Sequence, residues 1–266
     1  RNPVTNAEFA EFVAATGYVT VAERVPAASD YPGADPASLL PASLVFRPTS
    51  SPVDLRDYTN WWRYVPGACW HRPTGPGSSL HGLARHPVVH VAHADAAAYA
   101  HWAGKALTTE QEWECAARGG RPDSTYAWGD EPFPDGQVLA NTWQGRFPWE
   151  NLLHDGYLRT SPVDAFPPTA YGLLDMIGNV WEWTDSTYGP HASATDDAAA
   201  ATTRSCCTPA GEHTRPQAGT RVVKGGSHLC APNYCLRYRP SARQPQTVDT
   251  STGHLGFRCV VRTGGR

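Results

Sequence analysis

Hydrophobic residues recur at helical spacing in three short stretches of the first half of the chain, and they alternate with polar residues mainly in the second half. In "PVTNAEFAEFVAATG", Phe9, Phe12 and Val13 share one helical face, Thr5 and Glu8 stand at capping-box spacing, and Gly17 closes the pattern. "HADAAAYAHWAGKA" sets Tyr99 and Trp102 three apart with Gly104 near its end, while "TTEQEWECAARGG" offers Thr108 or Thr109 as N-cap and stops at Gly119 and Gly120. Six later segments read as short strands bounded by turn formers: "STYAW", "SPVDAF", "NVWEWTDS", "TRVVKGGSHLC", "YCLRYRP" and "LGFRCVVR". Helices first and strands afterwards predict an α+β fold rather than a parallel α/β sheet. Residues from Val25 to Ser51 show no period and are expected to be irregular and exposed. "NWWRYVPGACWHRPTGPGSS" crowds three Trp among turn formers, as in a structured loop, and residues 191–217 are expected to form a mobile loop carrying Cys206 and Cys207.

The composition narrows this picture. At 266 residues, with 24 Gly, 24 Pro and 10 Trp, the chain is expected to be one loop-rich domain spanning 1–266, with large aromatics supplying much of its burial. A net charge of -3 provides no polybasic field, which argues against nucleic acid, and no run approaches the roughly 18 apolar residues of a membrane span. The chain opens at Arg1 directly into a helix signal, as expected of a trimmed N-terminus. Seven Cys is an odd number, so a pure disulfide scaffold is disfavoured.

Two constellations carry candidate chemistry. Cys230 and Cys235 lie five apart in "GGSHLCAPNYCLRYRP"; alternation sets Val222, Lys224, Gly226, His228 and Cys230 on one strand face, and "APNY" reverses the chain. Three readings stand: a structural disulfide, a two-thiolate site for a soft metal such as Cu(I), or a reactive thiolate favoured by Lys224, Arg237 and Arg239. The second constellation is rich in oxygen donors: Asp175 and Glu182 flank a Gly-Asn step, with the carbonyls of Gly178 and Val180 between them, and Asn141 and Asp155 form a longer-range pair. Calcium weighs there against ordinary Asx-turn chemistry. His86, His90 and His93 read as a strand entering a helix cap, with His90 and His93 facing opposite ways, and Trp181 and Trp183 read by default as core.

Taken together, "TNAEFAEFVAATGYVTVAE", "HWAGKALTTEQEWECAARGG", "ANTWQGRFPW", "GLLDMIGNVWEWT", "GGSHLC", "YCLRYRPSARQ" and "HLGFRC" resemble the formylglycine-generating enzymes, the sulfatase-modifying factors, over nearly the whole chain. "GNVWEW" and "GFRC" are shared by a wider superfamily, whereas the paired Cys belong to the oxidase branch. The resemblance implies a single irregular α+β domain related to C-type lectin-like folds. It also implies an oxidase that converts the cysteine of a Cys-x-Pro-x-Arg segment in an unfolded sulfatase to Cα-formylglycine, using O2, a thiol reductant and Cu(I). By the same resemblance Cys230 and Cys235 bind copper, and Ser227, Trp181 and Tyr234 line the oxygen pocket. Glu23 receives the substrate arginine, Trp61 and Trp62 wall the groove, and His254 stands near the substrate cleft where the family often has Asn. Structural calcium, Ca2+, is implied at Asn141, Thr142, Asp155 and Tyr157, and again at Asp175, Gly178, Val180 and Glu182.

Departures from that pattern matter as much. Ala100 and Pro240 stand where vertebrate-type enzymes carry Cys, so Cys259 lacks its usual partner, which fits a cytoplasmic monomer. His86 and His90 have the spacing of an iron sulfoxide synthase motif, but Ala92 replaces its acid and disfavours that activity. The rival from another class is a non-catalytic, lectin-like binding module.

Overall fold

The computed structural model describes residues 1–190 and 219–262, so the expected loop 191–217, with Cys206 and Cys207, lies outside the described residues. The three helices form where the hydrophobic spacing puts them. α1 (Asn6–Thr16) starts at Thr5, whose amide donates to the Glu8 carboxylate at 2.8 Å while the Thr5 hydroxyl accepts from the Glu8 amide, and it ends on Gly17 at φ +67. α2 (His93–Trp102) is capped through Asp95, which accepts from the Ala92 amide at 2.8 Å. α3 (Glu110–Arg118) begins at Thr109 and ends on Gly119 in the left-handed region.

Around the helices lie three small sheets. β1 (Ala42–Phe46) and β2 (Trp62–Pro66) form an antiparallel ribbon, and β3 (Ala106–Leu107) pairs with the late strand β8 (Cys259–Val260). The central sheet combines β4 (Trp181–Thr187), β5 (Thr220–Lys224), β6 (Arg243–Thr247) and β7 (Leu255–Phe257) in the order β6-β5-β4-β7. β7 runs parallel to β4 and the other pairs are antiparallel, which makes the sheet mixed and the fold α+β as expected.

Several expected strands are absent. "STYAW" is a turn closed by a single bridge between Tyr126 and Gly129, and "SPVDAF" is a turn tied down by the Val163 amide to the Arg85 carbonyl at 3.0 Å. "YCLRYRP" forms no ladder, because the edge of β5 is taken by Arg243–Thr247. That strand escaped notice because "RQPQT" is polar and contains Pro245, a composition tolerated at a sheet edge. β1 lies inside the stretch expected to be irregular. Its residues Ala42, Ser43, Val45 and Phe46 are all buried, so both faces are covered and no alternation marks it.

Aromatics fill the interior. Phe9 stacks against Tyr99 at 5.9 Å and meets Phe257 edge-on, joining α1, α2 and β7, while Trp183 of β4 donates its indole N–H to the Val91 carbonyl at 3.0 Å. Buried charge is paired: Lys224 donates to Glu114 at 2.9 Å beneath α3, and Arg258 grips Glu182. Gly178 marks the tightest approach near the site. Its φ is +75, and a Cβ there would lie 2.4 Å from the Asn141 carbonyl oxygen. Gly178→Ala therefore adds backbone strain to a clash and is expected to cost about 2–4 kcal/mol. An unchanged urea midpoint in that variant would show that the loop relaxes freely.

Candidate active site

β5 ends at Lys224, and Gly225 and Gly226, at φ +95 and +74, turn the chain away from the sheet. At Gly226 a side chain would press within 3.0 Å of the Tyr238 backbone. Two consecutive turns follow. The Cys230 amide donates to the Ser227 carbonyl at 2.9 Å, and the Cys235 amide donates to the Ala231 carbonyl at 2.8 Å, closing one helical turn. The Trp143 amide pins the Cys230 carbonyl at 3.1 Å. These turns set Cys230 Sγ 3.3 Å from Cys235 Sγ, well beyond the roughly 2.05 Å of a disulfide, with both residues buried at 1% and 5% exposure. The thiols thus meet through a helical turn, not through the hairpin-like strand pairing expected from alternation.

Of the cations expected nearby, Lys224 is paired with Glu114 and Glu110, and Arg237 donates to Gln244. The pocket residues, in contrast, do assemble. Ser227 Oγ lies 3.0 Å from His254 Nδ1, the Trp62 ring meets the His254 ring edge-on at 4.9 Å, and the Trp181 amide donates to the His254 carbonyl at 2.8 Å. The indole N–H of Trp181 is buried without a partner, a donor waiting for an acceptor.

Tyr234 stacks on Phe147 at 4.7 Å and meets Trp61 at 5.3 Å. Leu229 and Ala231, which flank Cys230, are buried in this aromatic cluster with Phe46, Trp61, Trp62 and Trp143, whereas both Cys belong to the main core. The sulfurs therefore lie where two hydrophobic clusters meet. Trp61 and Trp62 are almost fully buried and make the floor of that region rather than exposed walls. Glu23 is occupied differently: one oxygen accepts from the Thr20 amide and hydroxyl, and the other faces His71.

The oxygen donors form two adjoining groups, joined where the Asn179 amide donates to the Asn141 carbonyl at 2.8 Å. In the first, Asn141 Nδ2 donates to the Arg159 carbonyl while its Oδ1 is buried with no partner. Asp155 accepts from the Tyr157 amide at 2.9 Å and from Gln144 Nε2 at 2.8 Å, and the same Gln144 nitrogen reaches the Thr142 carbonyl. In the second, burial pushes the Asp175 carboxyl up to about 6, against the opposing pull of Asn179 and Arg258. There Glu182 already accepts from Arg258 and from the Trp113 indole. Gln144 and Asn179 had no role in the sequence reading, although "ANTWQG" places an amide three residues after Asn141.

The histidines of "HPVVHVAHAD" do not converge. His86 bonds Thr160, His93 packs on Trp183, and His90 is enclosed between Ser43 Oγ at 2.7 Å and the Pro73 carbonyl at 2.8 Å. Because a carbonyl only accepts, His90 carries a proton on Nε2, while Ser43 beside Nδ1 donates its own hydroxyl to the Ser251 carbonyl at 2.8 Å. Burial lowers His90 from 6.5 to about 4. The unfolded chain takes up that proton near pH 6.5 and the folded chain does not until about pH 4. Stability is then fully present above pH 6.5 and is lost as pH falls towards 4, by about 3 kcal/mol from this residue. Urea midpoints across that range should drop steeply for the wild type and more gently for His90→Asn. Equal slopes would remove His90 as the cause.

Comparison with known proteins follows this geometry. The chain matches the sulfatase-modifying factor enzyme 1-like domain over residues 1–263. It is 56% identical over 262 residues to the formylglycine-generating enzyme of Mycobacterium tuberculosis, covering 98% of this chain and 86% of that one. It is also 38% identical to a Mus musculus relative called inactive C-alpha-formylglycine-generating enzyme 2, covering 98% of this chain and 74% of that protein. Among solved structures, PvdO from Pseudomonas aeruginosa superposes with a TM-score of 0.58 at 20% identity, over 96% of this chain and 76% of that one, which speaks to the fold alone.

Proposed function

Since this chain belongs to the sulfatase-modifying factor enzyme 1-like family, we propose that it is an oxidase converting a sulfatase cysteine to Cα-formylglycine, a reading supported by its M. tuberculosis relative named formylglycine-generating enzyme. The observation that carries this reading is the pair of buried thiols 3.3 Å apart and not joined by a disulfide, bordered by the Ser227–His254 contact. An inactive relative in the same family makes the thiol pair, rather than the fold, the feature to test.

The donor set fits Cu(I): two sulfur ligands, no hard oxygen donor between them, and an apolar surround. Bound copper(I) would supply a soft Lewis acid open to a further thiolate and to O2. The protein's own residues do the rest. Cys230 and Cys235 would hold the ion as thiolates, their protons passing to solvent, and the aromatic floor of Trp61, Trp62 and Phe147 keeps water from the reacting sulfur. Ser227 and the unpartnered Trp181 N–H offer donors for an oxygen atom. Replacing the substrate Cβ–S bond by C=O expels sulfide, and the balance needs one O2 with two electrons and two protons from a thiol reductant, leaving one water. The client is an unfolded Cys-x-Pro-x-Arg segment.

Calcium is supported at Asn141, Thr142, Asp155 and Tyr157, where the orphaned Asn141 oxygen has the chemistry of a hard-cation ligand. The second set fits less well, because Arg258 already neutralises Glu182. The decisive experiment is aerobic incubation of a Cys-x-Pro-x-Arg peptide with the protein, Cu(I) and a thiol reductant, followed by mass spectrometry. Copper-dependent aldehyde formation, abolished by a Cu(I) chelator, is expected. Peptide binding without turnover would replace the oxidase by a binding module.

A further inference from the structure

A second convergence of ligating side chains involves neither Cys230 nor Cys235. Cys69 and Arg72 exchange backbone hydrogen bonds at 3.3 and 3.0 Å, closing a tight turn that presents Trp70 and His71. Trp70 is buried against Phe9 and meets the His71 ring edge-on at 5.2 Å, which fixes how that imidazole is held. From the other side, the Thr20 cap holds Glu23 by one oxygen and leaves the other pointed at His71. Cys69 Sγ lies 3.4 Å from His71 Nδ1, and Glu23 Oε1 lies 3.6 Å from that same nitrogen. One ligand atom from each of the three residues falls within 4.8 Å of the others.

Two chemistries use Cys, His and Glu together, and the geometry separates them. A nucleophile–base–acid relay needs the thiol on one imidazole nitrogen and the carboxylate on the other. Here the thiol lies nearer to Nδ1, at 3.4 Å, than to Nε2, at 3.8 Å, and the carboxylate also approaches Nδ1, so the two donors crowd one nitrogen rather than opposite ends of the ring. A metal site needs the donors to surround one point. Ligands 2.0–2.3 Å from zinc at tetrahedral angles lie about 3.4–3.8 Å from each other, and the two observed separations fall in that interval.

We propose that Glu23, Cys69 and His71 form a three-ligand site for a divalent, zinc-type ion, with water as the fourth ligand. The thiol, imidazole and carboxylate mixture is a borderline donor set, unlike the all-sulfur pair, so the two sites select different metals. Side-chain exposure of 38% at His71 and 23% at Glu23 leaves a path for the ion and room for the water, while Cys69 closes the buried side. Binding converts the Cys69 thiol to a thiolate and releases its proton to solvent, with no redox step.

The test is anaerobic titration of the metal-free full chain with Co(II). The wild type should develop a thiolate charge-transfer band and tetrahedral visible bands that saturate at one ion per chain. The Cys230→Ser/Cys235→Ser double variant should keep both signals, whereas Cys69→Ser and His71→Ala should each lose them. His71 is half-exposed, so its variant guards against misfolding of the buried Cys69 substitution. X-ray absorption of the zinc-loaded protein should show one sulfur among nitrogen and oxygen ligands. Absence of the bands in the wild type, their survival in Cys69→Ser, or a zinc shell with two or more sulfurs would overturn the proposal.

Discussion

Cys230→Ser and Cys235→Ser should each lower the rate of peptide conversion by about 10³-fold or more while the protein stays folded; a metal Lewis acid contributes several kcal/mol, and each 1.4 kcal/mol is a decade in rate. A hydroxyl at the position of either sulfur is neither soft nor ionised at neutral pH, so a Cu(I) ion held as proposed would lose one of its two ligands. The fold loses much less. The sulfurs are 3.3 Å apart with no disulfide between them, so no cross-link is removed, and burying a hydroxyl beside the remaining thiol should cost about 1–2 kcal/mol. A structural disulfide would show the reverse pattern, with about 2–5 kcal/mol of stability lost. Rates measured by mass spectrometry, beside urea midpoints, separate the two. Turnover within tenfold of wild type in either variant would take the pair out of the chemistry.

The largest stability effect is expected at Arg258→Leu. Its guanidinium meets Glu182 through contacts of 2.5 and 2.7 Å, and one nitrogen also donates to the carbonyls of Leu174 and Asp175 at 3.0 Å. Glu182 is 1% exposed, so removing its cation strands a buried carboxylate and should cost about 3–5 kcal/mol. In a domain of this size that corresponds to a melting point lower by roughly 10 °C. The Arg258→Leu/Glu182→Leu pair should recover part of the loss, since neither buried charge remains. A single variant within about 1 kcal/mol of wild type would mean that water reaches Glu182 after all.

α1 and α3 were legible from local punctuation, Thr5 with Glu8 and then Gly17 in the first, a Thr cap and Gly119 in the second, whereas α2 rested on the spacing of Tyr99 and Trp102. β4 and β7 were visible for their aromatic and branched residues. β1 and β6 were not, one because both faces are covered and the other because an edge strand tolerates Pro245 and polar side chains. The meeting of Cys230 with Cys235 was readable from spacing, but its helical-turn geometry was not. The Ser227–His254 contact spans 27 positions and leaves no periodic trace. Glu23 was marked only by the resemblance and Cys69 and His71 not at all, because only tertiary structure brings the Thr20 turn against the Cys69–Arg72 turn.

The parallel pairing of β7 with β4 has a consequence for how the protein is made. Leu255, Gly256 and Phe257 lie alongside Trp181, Glu182 and Trp183, and the Val4 amide bonds the Phe257 carbonyl at 2.9 Å. His254, the partner of Ser227, immediately precedes that strand. A nascent chain therefore displays its thiols before it owns the β7 segment and the His254 that borders the pocket, and Val4 must find Phe257 across a long stretch of chain. Ribosome-bound chains shortened before residue 254 should leave Cys230 and Cys235 open to alkylating reagents, with protection arriving abruptly once β7 has emerged.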